Sequence, residues 1–413
     1  MSLRALSDTQ AYRGVMSEPT AVVPWPALTW EPQTWEAPAE YGATRRERTA
    51  GRAYRSAIAA EIAGLPLALP GWLAAELDDA TQQIVRFVAE DAHQIGGLTA
   101  VLIRSESASS SQIEQITASA RAIAEAEITG RGSGNAAVIA ANVTAMSAAL
   151  ADDAPLDGER IVNVQRTLLA DHAPHLVGWR TGPVWIGSGS STPATADYVA
   201  PDHTRIGESI DDLVRFIQRD DLPILAQAAI AHAQFETIHP FADGNGRTGR
   251  ALVQMILRRK EMTRSSAIPI SGGLLVDKRG YFDALTAYRA GDAAPIISAF
   301  SAASSRAVHQ GTALAEHITE ITGGWRSIVK ARSDSAVWKV LEVLPATPVA
   351  DAAMLASATG RDARNIHRAL RQLTEVGILV ENRHHKSRRI LFRTPEILAA
   401  LDEYAERFGR RES

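Results

Sequence analysis

Apolar residues recur at three- and four-residue spacing through much of the chain after residue 70, the period of helices that bury one face. The pattern predicts helices over Ala74–Glu90, from about Gln112 to Glu127, and over Asn135–Leu150. In the second of these, Ile113, Ile116, Ala120 and Ile123 form the buried stripe, and Ser111-x-x-Glu114 fits a capping box at its start. A further helix is expected from about Leu222 to Phe235, with Pro223 suited to its first turn. Another runs from Arg247 to about Arg259 and is apolar on most sides through Leu252, Val253, Met255, Ile256 and Leu257, so it belongs in a core. The loop between the last two therefore joins two buried helices.

Elsewhere the pattern changes. Residues 1–74 read as an irregular segment packing on the core, because Pro24, Pro26, Pro32 and Pro38 prevent long helices. Trp25, Trp30 and Trp35 lie among them and either pack against the following domain or offer a partner-binding strand. Arg180-Thr181-Gly182-Pro183-Val184-Trp185-Ile186 reads as a short strand, followed by the Gly/Ser turn of residues 187–191 and a return at Tyr198-Val199. The expected organisation is a helical region over 75–150, a second over 151–312, a linker over 313–330 broken at Gly323-Gly324, and a separate module over 331–413. The fold class is mainly α with a small hairpin.

Composition fits a folded enzyme: 413 residues, 46% apolar and 22% charged, enough for two or three domains. With no cysteine, disulfides and thiolate chemistry are excluded. No apolar run approaches a membrane span and the N-terminus lacks the order of a signal peptide, so no membrane partner and a cytoplasmic location are expected. Charge is uneven. Residues 361–393 hold nine Arg and Lys against three Asp and Glu, a local +6 in a chain of net −4.

The chemistry concentrates in His239-Pro240-Phe241-Ala242-Asp243-Gly244-Asn245-Gly246-Arg247-Thr248-Gly249-Arg250. An imidazole can take a proton from a hydroxyl during attack, so His239 suits a general base. Asp243 can bind one Mg²⁺, which keeps waters and leans on substrate phosphates. Gly244, Asn245 and Gly246 can turn their N–H groups inward as an anion nest, reinforced by the positive end of a helix starting there. Arg247 and Arg250, three apart, share a helix face and offer planar forks to phosphate. The alternative is an ordinary turn entering a helix, with solvated arginines.

These residues fill every fixed position of the Fic family signature, His-x-Phe-x-Asp/Glu-Gly-Asn-Gly-Arg-x-x-Arg, and over about residues 75–310 the chain resembles that family. The resemblance implies a helical bundle with a β-hairpin flap. It also implies an adenylyltransferase moving AMP from ATP, with Mg²⁺, to a Ser, Thr or Tyr hydroxyl of a target protein, itself included. His239 would be the base and Asp243 the metal ligand. Gly244, Asn245 and Gly246 would cradle the α- and β-phosphates, and Arg247 and Arg250 the β- and γ-phosphates. The hairpin with Val184, Trp185, Ile186 and Gly187 resembles the flap that docks the target beside the nucleotide; alone it is only a surface hairpin. Tyr281 and Phe282 resemble the aromatic wall on the adenine side. Ser110-x-x-x-Glu114-Gln115 resembles the family's inhibitory motif, Ser/Thr-x-x-x-Glu-Gly/Asn, with Gln115 as a departure. There Glu114 would pair with Arg250 and block the γ-phosphate, with Ser110 beside it.

In the last module, Ser335–Val343 and a segment from Asp351 read as helices, with Gly360 as a stop and Asp362 as the next cap. Ile366, Ala369, Leu370 and Leu373 then face inward and Arg361, Arg364, Arg368 and Arg371 outward. Two short strands joined by a basic loop over 383–389 follow. This order resembles a winged helix-turn-helix, binding nucleic acid through 361–393 or serving a homodimer or protein contact. Two rival functions stay open: removal of AMP from a modified target, alone or in a bifunctional enzyme, and DNA-binding regulation with a nucleotide site.

Overall fold

The computed structural model describes residues 22–35, 52–94, 98–130, 134–187, 192–263, 266–384 and 389–409. A hairpin of β1 (Thr29–Trp35) and β2 (Arg52–Ile58) precedes α1 (Gly71–Gln94), α2 (Leu98–Ile113), α3 (Ala120–Thr129), α4 (Asn135–Ala151) and α5 (Gly158–Leu169). The strands β3 (Trp185–Ile186) and β4 (Tyr198–Val199) lead into α6 (Ile206–Gln218), α7 (Ile224–Ile238), α8 (Asn245–Arg259), α9 (Ile270–Val276), α10 (Lys278–Ala290) and α11 (Ala294–Ile328). The C-terminal part holds α12 (Ala336–Val343), β5 (Val349–Ala350), α13 (Ala352–Thr359), α14 (Ala363–Glu375), β6 (Val380–His384), β7 (Arg389–Arg393) and α15 (Pro395–Gly409), with strand order β5-β7-β6.

The core forms around α7, buried at every residue from Leu225 to Ile238. Ala226, Ala228, Ala229, Ala231 and Ala233 keep it slim, so α6, α8 and α11 pack closely around it. The mainly helical class with small hairpins is what the sequence pattern predicts.

Three expectations change. The N-terminal segment is not irregular throughout: β1 and β2 pair in full register, with Pro32 tolerated in a two-stranded hairpin. The expected helix over 112–127 is two helices. α2 ends at Ile113, Gln115 turns left-handed (φ 64), and α3 starts afresh with Ser119 accepting from the Ala122 N–H. Ser111 thus stands in the last turn of α2, its hydroxyl on the Ser107 carbonyl at 2.8 Å, and makes no capping box with Glu114. Lastly, Gly323-Gly324 breaks nothing, and the expected linker is the end of α11. Trp325 directly after the glycines is buried and donates its indole N–H to Glu396 of α15, which holds that end in place.

The C-terminal part docks onto the bundle through α15. Phe408 lies so close to Gly272 of α9 that a Cβ there would meet its ring at 2.7 Å. Asp402 accepts from the Ala120 N–H at 2.7 Å. In the same region Glu106 of α2 is wholly buried and accepts from the Ser271 N–H and hydroxyl at 3.0 and 2.6 Å. Burial pushes its carboxyl up to about 7, against those bonds and the charge of Arg250. A carboxyl raised on folding stabilises fully below its unfolded value near 4.5 and loses that contribution as pH rises toward 7. Urea unfolding should therefore show wild type losing up to about 3 kcal/mol across that window relative to Glu106→Gln. Parallel pH profiles for the two proteins would refute the assignment.

Candidate functional site

The segment from 239 to 250 leaves one buried helix and enters another, and its shape is set by side chains around it. His239 ends α7 in the left-handed region (φ 48, ψ 61), its N–H closing on the Phe235 carbonyl at 2.8 Å. A non-glycine residue there is strained by roughly 1–2 kcal/mol, so its surroundings must hold it. Arg180 does so from one side, donating to the His239 carbonyl at 2.8 Å. Trp179 stacks on Phe241 at 4.9 Å. The Asn245 side chain bonds both the N–H and the carbonyl of Phe241, at 2.9 and 2.8 Å, so this residue staples the loop as well as opening α8. Gly244 (φ 84) passes Leu168 with no room for a Cβ beyond 3.0 Å.

The first two turns of α8 carry the two arginines, and neither is solvated. Arg247 is buried, with Nε and Nη1 lacking any hydrogen-bond partner and Nη2 3.4 Å from Asp243. Burial lowers its pKa against the pull of Asp243 and Glu114. Open donors on a buried guanidinium beside a helix N-terminus make an anion site. Arg250 is fully engaged: Nε donates to the Ser110 hydroxyl at 2.8 Å, and Nη2 to the Ser110 carbonyl at 2.7 Å and the Glu114 carboxylate at 2.9 Å. That carboxylate presses on Gly246, where a Cβ would fall 2.0 Å from Oε1. The break after α2 is what frees Glu114 to reach there.

Behind His239 stands a residue the sequence reading did not single out. Glu236 is buried with its carboxylate 3.6 Å from His239 Nδ1. Burial alone would raise its pKa, but His239, His232 and Arg250 bring it down to about 2. His232, pushed down to about 4 by burial, lies 2.7 Å from the Tyr281 hydroxyl. A signal was available: His232 and Glu236 are four apart and the only titratable residues of that helix, hence on one face. Tyr281 is turned inward and wholly packed, so only Phe282 is open to solvent, beside the Lys278 ammonium. The two rings meet tilted at 5.1 Å.

Asp243 is half exposed and accepts from the Gly244 N–H at 2.7 Å. Across the loop, Trp185 pairs with Val199 and Ile186 with Tyr198, while Val184 accepts from the Ala200 N–H at 3.0 Å. Gly187 follows β3, and the expected turn over 188–191 lies outside the described residues. β2 packs beside β4, and Trp35 meets Trp185 edge-on at 6.2 Å. Trp25 and Trp35 are buried, and Trp30, partly exposed, rests against Tyr198.

Residues 155–257 match the Fic/DOC family. Protein adenylyltransferase fic-1 of Caenorhabditis elegans is 32% identical over 142 residues, 33% of this chain and 25% of the relative, and the Caenorhabditis briggsae protein of that name matches to the same extent. The chain thus spans about a quarter of the length of these curated relatives. Among solved structures, a Fic family protein from Desulfovibrio desulfuricans G20 shares the fold with a TM-score of 0.52 and 21% identity, over 80% of this chain and 97% of that one. The matched segment, residues 155–257, contains the buried loop and both arginines, so this chain carries a Fic/DOC family domain there, within a fold shared over four-fifths of its length.

Proposed function

We propose that this protein transfers AMP from ATP to a Ser, Thr or Tyr hydroxyl of a target protein and is restrained by its own Glu114. One observation carries the reading: the Glu114 carboxylate lies on Arg250 and over Gly246, at the start of α8, beside the open donors of buried Arg247. A carboxylate there stands in for the anion the site is built to hold. The fic-1 relatives carry the name of the activity.

With Glu114 displaced, Arg247, Arg250 and the N–H groups from Gly244 to Gly246 would take the phosphates of ATP, and Phe282 would lie on the adenine side. His239 Nδ1 faces Glu236, so its Nε2 is left to take the proton of the target hydroxyl as that oxygen attacks the α-phosphorus and pyrophosphate leaves. The arginines and backbone dipoles stabilise the charge that develops on the transferring group. Among the described residues no three metal-binding side chains cluster, and a lone half-exposed carboxylate suits a Mg²⁺ shared with phosphates. Asp243 would hold that ion, which would add charge neutralisation on the phosphates.

The test is incubation of wild type, Glu114→Gly and Glu114→Gly/His239→Ala with Mg²⁺ and ATP labelled at the α-phosphate, following label on protein. Label should be strong in Glu114→Gly, weak in wild type and absent in the double variant. Equal label in wild type and Glu114→Gly would refute restraint by Glu114. Loss of label from a premodified target in wild type alone would assign the reverse reaction.

A second reading concerns residues 331–413, which we read as a winged helix-turn-helix that binds nucleic acid. Arg364, Arg368 and Arg371 are exposed on α14, opposite buried Ile366, Ala369, Leu370 and Leu373, Arg361 is exposed just before its cap, and among the described residues no ion pair engages the four. The basic loop over 385–388 lies outside the described residues.

A further inference from the structure

Arg180 is buried, and among the described residues its guanidinium bonds no carboxylate, Asp202 acting on it only at longer range. Instead it donates to four backbone carbonyls: His239 at 2.8 Å and Ile238 at 3.4 Å at the end of α7, Gly182 at 2.9 Å just before β3, and Pro201 at 2.6 Å just after β4. Its own N–H adds a bond to the Pro240 carbonyl at 3.0 Å. A rigid, planar fork therefore joins both ends of the hairpin to the peptide that carries the candidate base. The His239 peptide is the strained one (φ 48), and pinning its carbonyl fixes the direction in which the imidazole leaves the backbone.

We propose that Arg180 is a positioning residue that holds the His239 imidazole and the β3–β4 hairpin in one frame, so that a target seated on the hairpin presents its hydroxyl to a base already aligned. This rests on the adenylyl-transfer reading. All its side-chain bonds among the described residues go to carbonyls, so its geometry rather than its charge joins the segments. A lysine ammonium is a compact point donor and cannot span carbonyls from three segments in one plane. None of these bonds reaches α8, so the phosphate site stands apart from the clamp.

Arg180→Lys in a Glu114→Gly background should lower kcat for transfer to protein on the order of 10²-fold, the scale of a misplaced reacting group. The KM for the target should rise while the KM for ATP moves by less than about threefold, because only the hairpin and base are released. Circular dichroism at matched concentration establishes that the variant is folded. A folded variant with kcat within about twofold of its parent would overturn the proposal, since a purely structural role lowers stability but not the rate per folded molecule.

Hydrogen exchange separates this from failure of the adenylyl-transfer reading. If Glu114→Gly transfers no AMP, the clamp is still tested in Arg180→Lys without nucleotide. Segments 182–187, 198–201 and 238–241 should all exchange faster, with α11 unchanged. Acceleration at the hairpin alone, or at the loop alone, would show that the two are not held together through Arg180.

Discussion

Replacing His239 with alanine in a Glu114→Gly background is expected to slow AMP transfer by about 10²–10⁴, the usual contribution of a general base. ATP affinity should stay within about threefold, because the loss falls on an interaction made only during the reaction. The geometry requires this split. Nδ1 is buried against Glu236, whereas the phosphate donors belong to α8, held in place independently by Asn245 on Phe241 and by Gln165 on the Asp243 carbonyl. Alanine enters the left-handed region less readily than histidine, but the Arg180 bond to the residue-239 carbonyl, which holds that conformation, is unaffected by the side chain. The loop should therefore keep its shape and lose only its base. Single-turnover rates at saturating ATP, with nucleotide affinity measured by competition, check both halves. A variant that keeps its rate would remove His239 from the mechanism, and one that loses ATP would reassign it to binding.

How far the sequence leads to this arrangement depends on whether a residue acts through local pattern or through distant packing. The loop from His239 to Arg250 is legible because its chemistry is contiguous, and the helices flanking it are legible because their apolar faces are continuous. The inward residues of α14 follow for the same reason. What the pattern misplaces is the break after Ile113: the apolar period of α2 continues into α3, and nothing local marks the turn except its conformation at Gln115. Gly323-Gly324 errs in the other direction. A local breaker is overridden by the burial of Trp325 and its bond to Glu396, 71 residues away. Arg180 and Glu236 were missed because their meaning lies in which carbonyls and which imidazole they meet, and that is decided by packing of α7 against the hairpin.

That same left-handed turn supports the proposed restraint by Glu114 and gives it an expected magnitude. Gln115 adopts φ 64, a conformation glycine and asparagine enter readily, and the family pattern places Gly or Asn at this position. The turn lets Glu114 leave the helical path and reach Arg250. Its charge-assisted bond is worth roughly 1.5–3 kcal/mol. Glu114→Gly should therefore raise the transfer rate at limiting ATP on the order of 10²-fold, since that energy no longer opposes phosphate on Arg250. Glu114→Gln keeps the bulk over Gly246 but only a neutral bond, so its activation should fall between wild type and glycine. Gln115→Gly should act in reverse: relieving about 1 kcal/mol of strain in the restrained state lowers activity about fivefold. Initial rates of the three variants at a fixed ATP concentration below KM make the comparison. Should Glu114→Gln match Glu114→Gly, charge alone would account for the restraint; should it match wild type, bulk over Gly246 would.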